Sequence, residues 1–183
     1  MSKKAAIFFA IGYEECEALI TVDILRRAGV EISMVSVTGD KTVTSSHNVP
    51  VVMDKLFDEV DFAELDMMIL PGGMPGTKNL EANAPLMDAL DEFYKNGKKI
   101  AAICAAPSIF GHRGYLNGKA ACIYPGMEGE LAGADVKYDP AVTDGNITTG
   151  RGMGAAIDFA LAIVTELEGK EKSETIAKAI VYR

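Results

Sequence analysis

The sequence is short of cysteine, histidine and positive charge, and each shortage closes off a class of function. Its 183 residues include three cysteines, Cys16, Cys104 and Cys122. That number is too small and too odd for a disulfide framework, which fits a reducing cytoplasm. The two histidines, His47 and His112, stand at no zinc-ligand spacing from any cysteine, so neither a structural nor a catalytic metal site is expected. Lys plus Arg number 18 against 26 Asp plus Glu, a net charge of -8. Nucleic acid and anionic membranes both require a cationic surface, so neither is expected as a direct partner. Long apolar runs are also missing. The longest uncharged stretch is the 13 residues 100–112, against the roughly 20 that a bilayer span requires. Met1-Ser2-Lys3-Lys4 followed by an apolar run imitates a secretory signal, but Glu14, Glu15 and Glu17 follow without a small-residue cleavage site. The chain is therefore read as mature protein. With no linker, repeat or low-complexity block, the expectation is a single cytoplasmic domain over residues 1–183.

What is present is an ordinary globular composition, 49% hydrophobic and 24% charged, arranged as short apolar runs alternating with longer amphipathic ones. Strands are predicted at 5–11, 32–37, 67–70 and 99–103. Helices are predicted at 14–28, 85–96, 155–167 and 171–182. Two stretches, 42–53 and 120–149, break the alternation and read as small β excursions. Right-handed crossovers then favour a flavodoxin-like, doubly wound α/β/α sandwich around a mostly parallel sheet. Ligands of such sheets bind beyond the carboxyl ends of the strands, so the loops after Ile11, Leu70 and Ile103 are the places to search.

Cys104 ends the fourth predicted strand, in Ala101-Ala102-Ile103-Cys104-Ala105-Ala106-Pro107. Small neighbours permit a tight strand-to-helix turn like a nucleophile elbow, with Ala102 and Ala106 in the glycine positions, and Pro107 suits a first helical turn. A helix N-terminus there is expected to stabilise a thiolate and lower the thiol pKa. The alternative is an inert buried cysteine. Glu17 lies early in the first helix on the row Thr21, Ile24 and Ala28, so its carboxyl leans inward. If it met Cys104 above the sheet, burial and a neighbouring thiolate would raise its pKa and leave it able to exchange protons. Pro71-Gly72-Gly73-Met74-Pro75-Gly76 follows the third strand and could aim backbone N–H groups at an oxyanion. It lacks the order of a Walker loop. Gly150-Arg151-Gly152-Met153-Gly154-Ala155 fits a permissive dinucleotide fingerprint, but too little chain follows it for the unit, so it reads as a turn of close backbone approach. Cys16, Cys122 and the methionines read as packing residues.

As an ordered set, Glu14-Glu15-Cys16-Glu17, residues 22–29, Leu70-Pro71-Gly72-Gly73, residues 101–107, Arg151-Gly152-Met153-Gly154 and residues 157–161 resemble the ThiJ/PfpI superfamily, in its YajL-like and DJ-one-like branch. The resemblance runs over nearly the whole chain. It implies a flavodoxin-like homodimer without cofactor. Cys104 would be the reactive, oxidation-sensitive cysteine and Glu17 its hydrogen-bonded, protonated partner. Gly73 and Ala105 would supply N–H groups around the sulfur, and Tyr124, Arg151 and Gly152 would line the pocket. Two positions depart from the human member. Tyr124 stands near where that protein has a histidine, and a phenol is a poor base near neutrality. His47 falls near an arginine position. The activity implied is a cysteine-dependent glyoxalase or deglycase acting on small aldehydes such as methylglyoxal or on glycated substrates. The competing class is an oxidative-stress sensor or redox-regulated chaperone working through oxidation of Cys104. A PfpI-like peptidase is disfavoured because Ala105, not histidine, follows the cysteine. A glutaminase is disfavoured because no histidine follows His112.

Overall fold

The computed structural model describes residues 2–182, leaving the two terminal residues of the expected 1–183 domain outside. Among the described residues, eleven strands occur in the order β1 (Lys4–Phe9), β2 (Glu31–Ser36), β3 (Thr42–Thr44), β4 (Pro50–Val52), β5 (Lys55–Leu56), β6 (Met67–Leu70), β7 (Lys99–Ile103), β8 (Ala120–Ala121), β9 (Asp135–Val136), β10 (Ala141–Asp144) and β11 (Ile147–Gly150). The helices are α1 (Glu15–Ala28), α2 (Gly76–Glu81), α3 (Ala84–Lys95), α4 (Pro107–His112), α5 (Ala156–Glu168) and α6 (Lys170–Ala179). Seven strands form one sheet in the order β10-β11-β7-β6-β1-β2-β5. All its pairings are parallel except the edge pair β10–β11.

Side chains alternate along a strand, so each central strand feeds both faces of the sheet. Ala5, Ile7, Phe9, Met67, Ile69, Ala101 and Ile103 pack under α1, α5 and α6 through Ala18, Leu25, Phe159 and Ile163. Ala6, Phe8, Met68, Leu70, Ile100 and Ala102 pack under α2, α3 and α4 through Leu80, Leu86, Leu90 and Phe110. A side chain such as Leu25 or Phe110, fully removed from water, contributes about 1.5–3 kcal/mol. Two cores on opposite faces of one parallel sheet make the expected flavodoxin-like sandwich.

The differences from the sequence reading are local. The first strand ends at Phe9, two residues early, because the chain must turn at Gly12 (φ +83°). Its neighbour Ile11 is left exposed. The segment after Pro71 contains α2, hidden in the sequence by its glycines and prolines. The excursion at 42–53 is the antiparallel β3–β4 hairpin. That at 120–149 holds β8 to β11. Cys16 is exposed on α1 rather than packed, because the inward row takes Glu17, Ala18 and Thr21. Met74 and Met153 are likewise exposed. Among the described residues, no helix is long and apolar enough to cross a membrane.

Candidate active site

The carboxyl ends of β1, β6 and β7 lie side by side in the sheet, with β6 in the middle. The loops leaving them bring Glu17, Gly72 and Cys104 together. Cys104 follows β7 and takes φ +64°, the left-handed conformation that a side chain other than glycine's rarely adopts. Two backbone bonds hold it there: its N–H donates to Gly150 O at 2.9 Å, and its carbonyl accepts from Tyr124 N–H at 2.9 Å. This sharp turn turns the sulfur out of the sheet and against Glu17.

Glu17 stands in the first turn of α1. Glu14 caps that helix, its Oε2 accepting from Glu17 N–H at 2.6 Å, and so performs the N-terminal charge role open to the acidic cluster. Glu17 itself turns inward and is 1% exposed. Its Oε2 accepts from Gly72 N–H at 3.1 Å. Its Oε1 is buried with no hydrogen-bond partner among the described residues. The carboxyl and the Cys104 thiol converge across Gly72, close enough for each to shift the other's proton affinity. Because Oε2 accepts from Gly72, the unpartnered Oε1 is the oxygen free to carry a proton.

Gly72 shows how closely these groups converge. A Cβ there would stand 2.5 Å from Cys104 Cβ, 2.6 Å from Glu17 Oε2 and 2.8 Å from Ile103 O. Gly73 is constrained differently, with φ +94° and a virtual Cβ 2.4 Å from Glu14 N. Any side chain there would meet the start of α1. Its N–H and that of Ala105 act on the Cys104 sulfur in the direction that favours its charged form.

Burial pushes the Glu17 carboxyl up to about 7. For Cys104 the expectation of a lowered thiol pKa is not met. Burial, then the negative charge of Glu17 and the hydrogen bond to it, push the thiol up to about 12, against the opposing pull of the Gly73 and Ala105 N–H groups. The reason lies in the fold: desolvation of the sulfur and the neighbouring Glu17 carboxyl outweigh the N–H groups that favour the thiolate. With Glu17 ionised, the sulfur keeps its proton. Once Glu17 is protonated, its charge vanishes and its carboxyl donates to the sulfur instead of accepting from it. The two groups therefore titrate as a pair.

Tyr124, Arg151 and Gly152 come together beside this pair rather than within it. With Pro125, Met153, Gly154 and Ala155 they line a shallow groove of about 370 Å³ that neither Cys104 nor Glu17 lines. Tyr124 is half-exposed. Arg151 lies over the Tyr138 ring, its guanidinium carbon 5.5 Å from the centroid, and donates from Nη1 to Tyr138 O at 3.2 Å. His47 pairs with α1 instead of the sulfur. Its Nδ1 lies 3.0 Å from Glu15 Oε1, and with Glu14 these are the only three described residues whose ligand atoms cluster closely enough for a metal ion. The sequence reading missed the contribution of Gly72, whose N–H and lack of a side chain both serve Glu17. The Gly-Gly pair was its signal, but nothing local distinguished the two glycines.

A parallel α/β sandwich with a cysteine at a strained strand-to-helix turn, paired with a buried carboxyl, defines a class of cysteine-centred flavodoxin-like proteins. Residues 3–166 match the DJ-1/PfpI family, and the chain belongs to that family. It is 37% identical to Protein dj-1beta of Drosophila melanogaster over 183 residues, covering 99% of this chain and 98% of that one. The Toxoplasma gondii DJ-1 structure, described as oxidized, superposes with a TM-score of 0.94 at 34% identity, covering 99% of each chain. Glutathione-independent glyoxalase DJR-1.2 of Caenorhabditis elegans is 30% identical over 169 residues, covering 91% of this chain and 89% of that one.

Proposed function

We propose that the chain is a cysteine-dependent, cofactor-independent glyoxalase or deglycase acting on reactive aldehydes such as methylglyoxal. Cys104 is the nucleophile and Glu17 the general acid and base. One observation carries the reading: the buried Glu17 carboxyl touches the Cys104 thiol, with a pKa near neutrality that suits a group that must both give and take a proton. The likeness to a relative named as a glutathione-independent glyoxalase supports it.

With one proton shared by the pair, thiolate and carboxylic acid form together. The sulfur adds to the aldehyde carbon, the C=O π bond opens, and Glu17 protonates the oxygen to give a hemithioacetal. The Glu17 carboxylate then removes the proton from that carbon and returns it to the adjacent ketone carbon, while the hydroxyl proton passes to the ketone oxygen, giving a thioester of the 2-hydroxy acid. Water cleaves the C–S bond, releasing lactate and restoring the thiol. The net reaction adds one water to methylglyoxal, and the aldehyde carbon is oxidised as the ketone carbon is reduced. The effect of the Gly73 and Ala105 N–H groups, which favours a charged sulfur, supports the thiolate this step requires. Lactate formation from methylglyoxal by wild type, Cys104→Ser and Glu17→Gln tests the reading. Glu17→Gln is expected to lose about 10²–10⁴ in kcat and Cys104→Ser all measurable turnover. Full activity in both variants overturns it.

The same N–H groups favour a second reading, an oxidation sensor. Two donors and a carboxylic acid at one sulfur would stabilise the oxygens of a sulfinate. Intact-mass analysis after mild peroxide is expected to place added oxygen on Cys104. Oxidation of Cys16 or Cys122 with Cys104 unmodified would exclude this role.

A further inference from the structure

His112 has both ring nitrogens committed to carboxylates. Its Nδ1 lies 2.6 Å from Glu81 Oε1 and its Nε2 2.7 Å from Glu130 Oε2. A neutral imidazole offers one N–H and one lone pair, so only the imidazolium donates to both. The two carboxylates hold its pKa above the usual histidine value. They are the charged groups facing it, Glu81 from α2 and Glu130 from the short 3-10 turn Glu128–Glu130. Arg113, next to it in the chain, donates instead from Nε to Asp91 of α3 at 2.7 Å.

The position of the three tied segments gives this pair of contacts its meaning, because each leads away from one part of the site. α2 follows the loop that carries Gly72 and Gly73, and Glu81 is its last residue. α4 follows Cys104 and Ala105, and His112 is its last residue. The turn Glu128–Glu130 follows Tyr124 through successive backbone bonds, Met127 N–H to Tyr124 O at 3.1 Å and Glu130 N–H to Met127 O at 2.9 Å. The backbones also meet at the tie: a Cβ on Gly111 would stand 2.0 Å from Glu130 O.

We propose that His112 is a positioning residue whose imidazolium fastens together the far ends of the segments presenting Gly73, Cys104 and Tyr124, so that its deprotonation releases one of two ties and loosens the site. The proposal stands apart from the glyoxalase reading, since its readouts do not need turnover. The tie is complete at mildly acidic pH and is lost as pH rises past the ordinary histidine range.

The test combines histidine NMR titration, with His47→Gln assigning the two resonances, and amide exchange of residues 126–131 corrected for intrinsic rate. Wild-type protection is expected to fall about fivefold as His112 deprotonates, the loss of one charge-assisted hydrogen bond. Glu130→Gln supplies an amide that can accept from or donate to the ring, so its protection should stay flat with pH. His112→Gln should be poorly protected throughout. The ratio of Cys104 alkylation rates, wild type over Glu130→Gln, is expected to change across the His112 titration, which a merely structural surface contact would not cause. A His112 pKa at or below the ordinary value, a flat wild-type exchange profile, a pH dependence retained in Glu130→Gln, or a constant alkylation ratio would each overturn the proposal.

Discussion

Glu17 and Cys104 lie 87 positions apart in the chain and converge across Gly72 at the carboxyl end of the sheet, one from the first turn of α1 and one from the turn after β7. The carboxyl is more deeply buried than the thiol. Burial accordingly places its proton affinity near neutrality, and what one group does with its proton governs the other.

This coupling sets the pH dependence of cysteine reactivity. Below about pH 7 the pair holds two protons and above it one, since Glu17 titrates at about 7 and the thiol far higher. Alkylation of Cys104 by iodoacetamide is therefore expected to speed up with a midpoint near that value. Glu17→Gln should remove this inflection, and an unchanged profile in the variant would refute the coupling.

Stability should follow the opposite course. A carboxyl whose folded pKa is about 7, raised from 4.5, is stabilising relative to its ionised form only while protonated. The folded state binds more protons than the unfolded one between those values, so stability falls as pH rises through them. The shift corresponds to about 3 kcal/mol. Thermal melts at a series of pH values should show Glu17→Gln gaining on wild type as pH rises to about 8 and then levelling. A constant difference would mean that Glu17 titrates in the ordinary carboxylate range.

Gly72→Ala tests the packing. Its Cβ would fall 2.5 Å from Cys104 Cβ and 2.6 Å from Glu17 Oε2, so one of the two must move. A loss of about 1–3 kcal/mol is expected, together with loss of methylglyoxal turnover. Denaturant unfolding and activity at wild-type levels would show that the convergence is looser than described.

On the opposite face of the sheet, Asp91 accepts from Arg113 Nε at 2.7 Å, from Arg113 Nη2 and from the Tyr115 hydroxyl. These donors hold its carboxyl below the usual range. Their stabilisation is present above the unfolded Asp pKa and is lost as pH falls through the folded one. Asp91→Ala leaves a half-buried guanidinium and phenol without their acceptor and should cost about 1–3 kcal/mol. Urea unfolding within error of wild type would show that the network contributes little.

Much of this was legible along the chain. The apolar runs at β1, β2, β6 and β7 and the inward row of α1 carry the sandwich because burial on both faces of a parallel sheet demands continuous hydrophobicity, and a sequence displays that directly. Cys104 was conspicuous for its small neighbours and Glu17 for being a carboxyl on an apolar row. Less visible was α2, since Pro75 and Gly76 read as a turn. The exposure of Cys16 was also hidden, because helical phase alone does not say how wide the buried stripe is. The Glu81–His112–Glu130 tie was invisible, its members being separated by 31 and 18 positions and each ordinary for a surface.

By itself, then, the sequence determined which segments form the central strands and which residues bear reactive groups, because those properties depend on local composition and periodicity. The direction of the Cys104 shift was decided only in three dimensions. A helix N-terminus read from the chain argues for a thiolate, but whether its N–H groups prevail depends on what else surrounds the sulfur. The opposing desolvation and the charge of Glu17 depend on how closely α1, the Gly72–Gly73 turn and β7 pack. Electrostatics acts through space and through the surrounding dielectric, and neither distance nor dielectric is written along the chain.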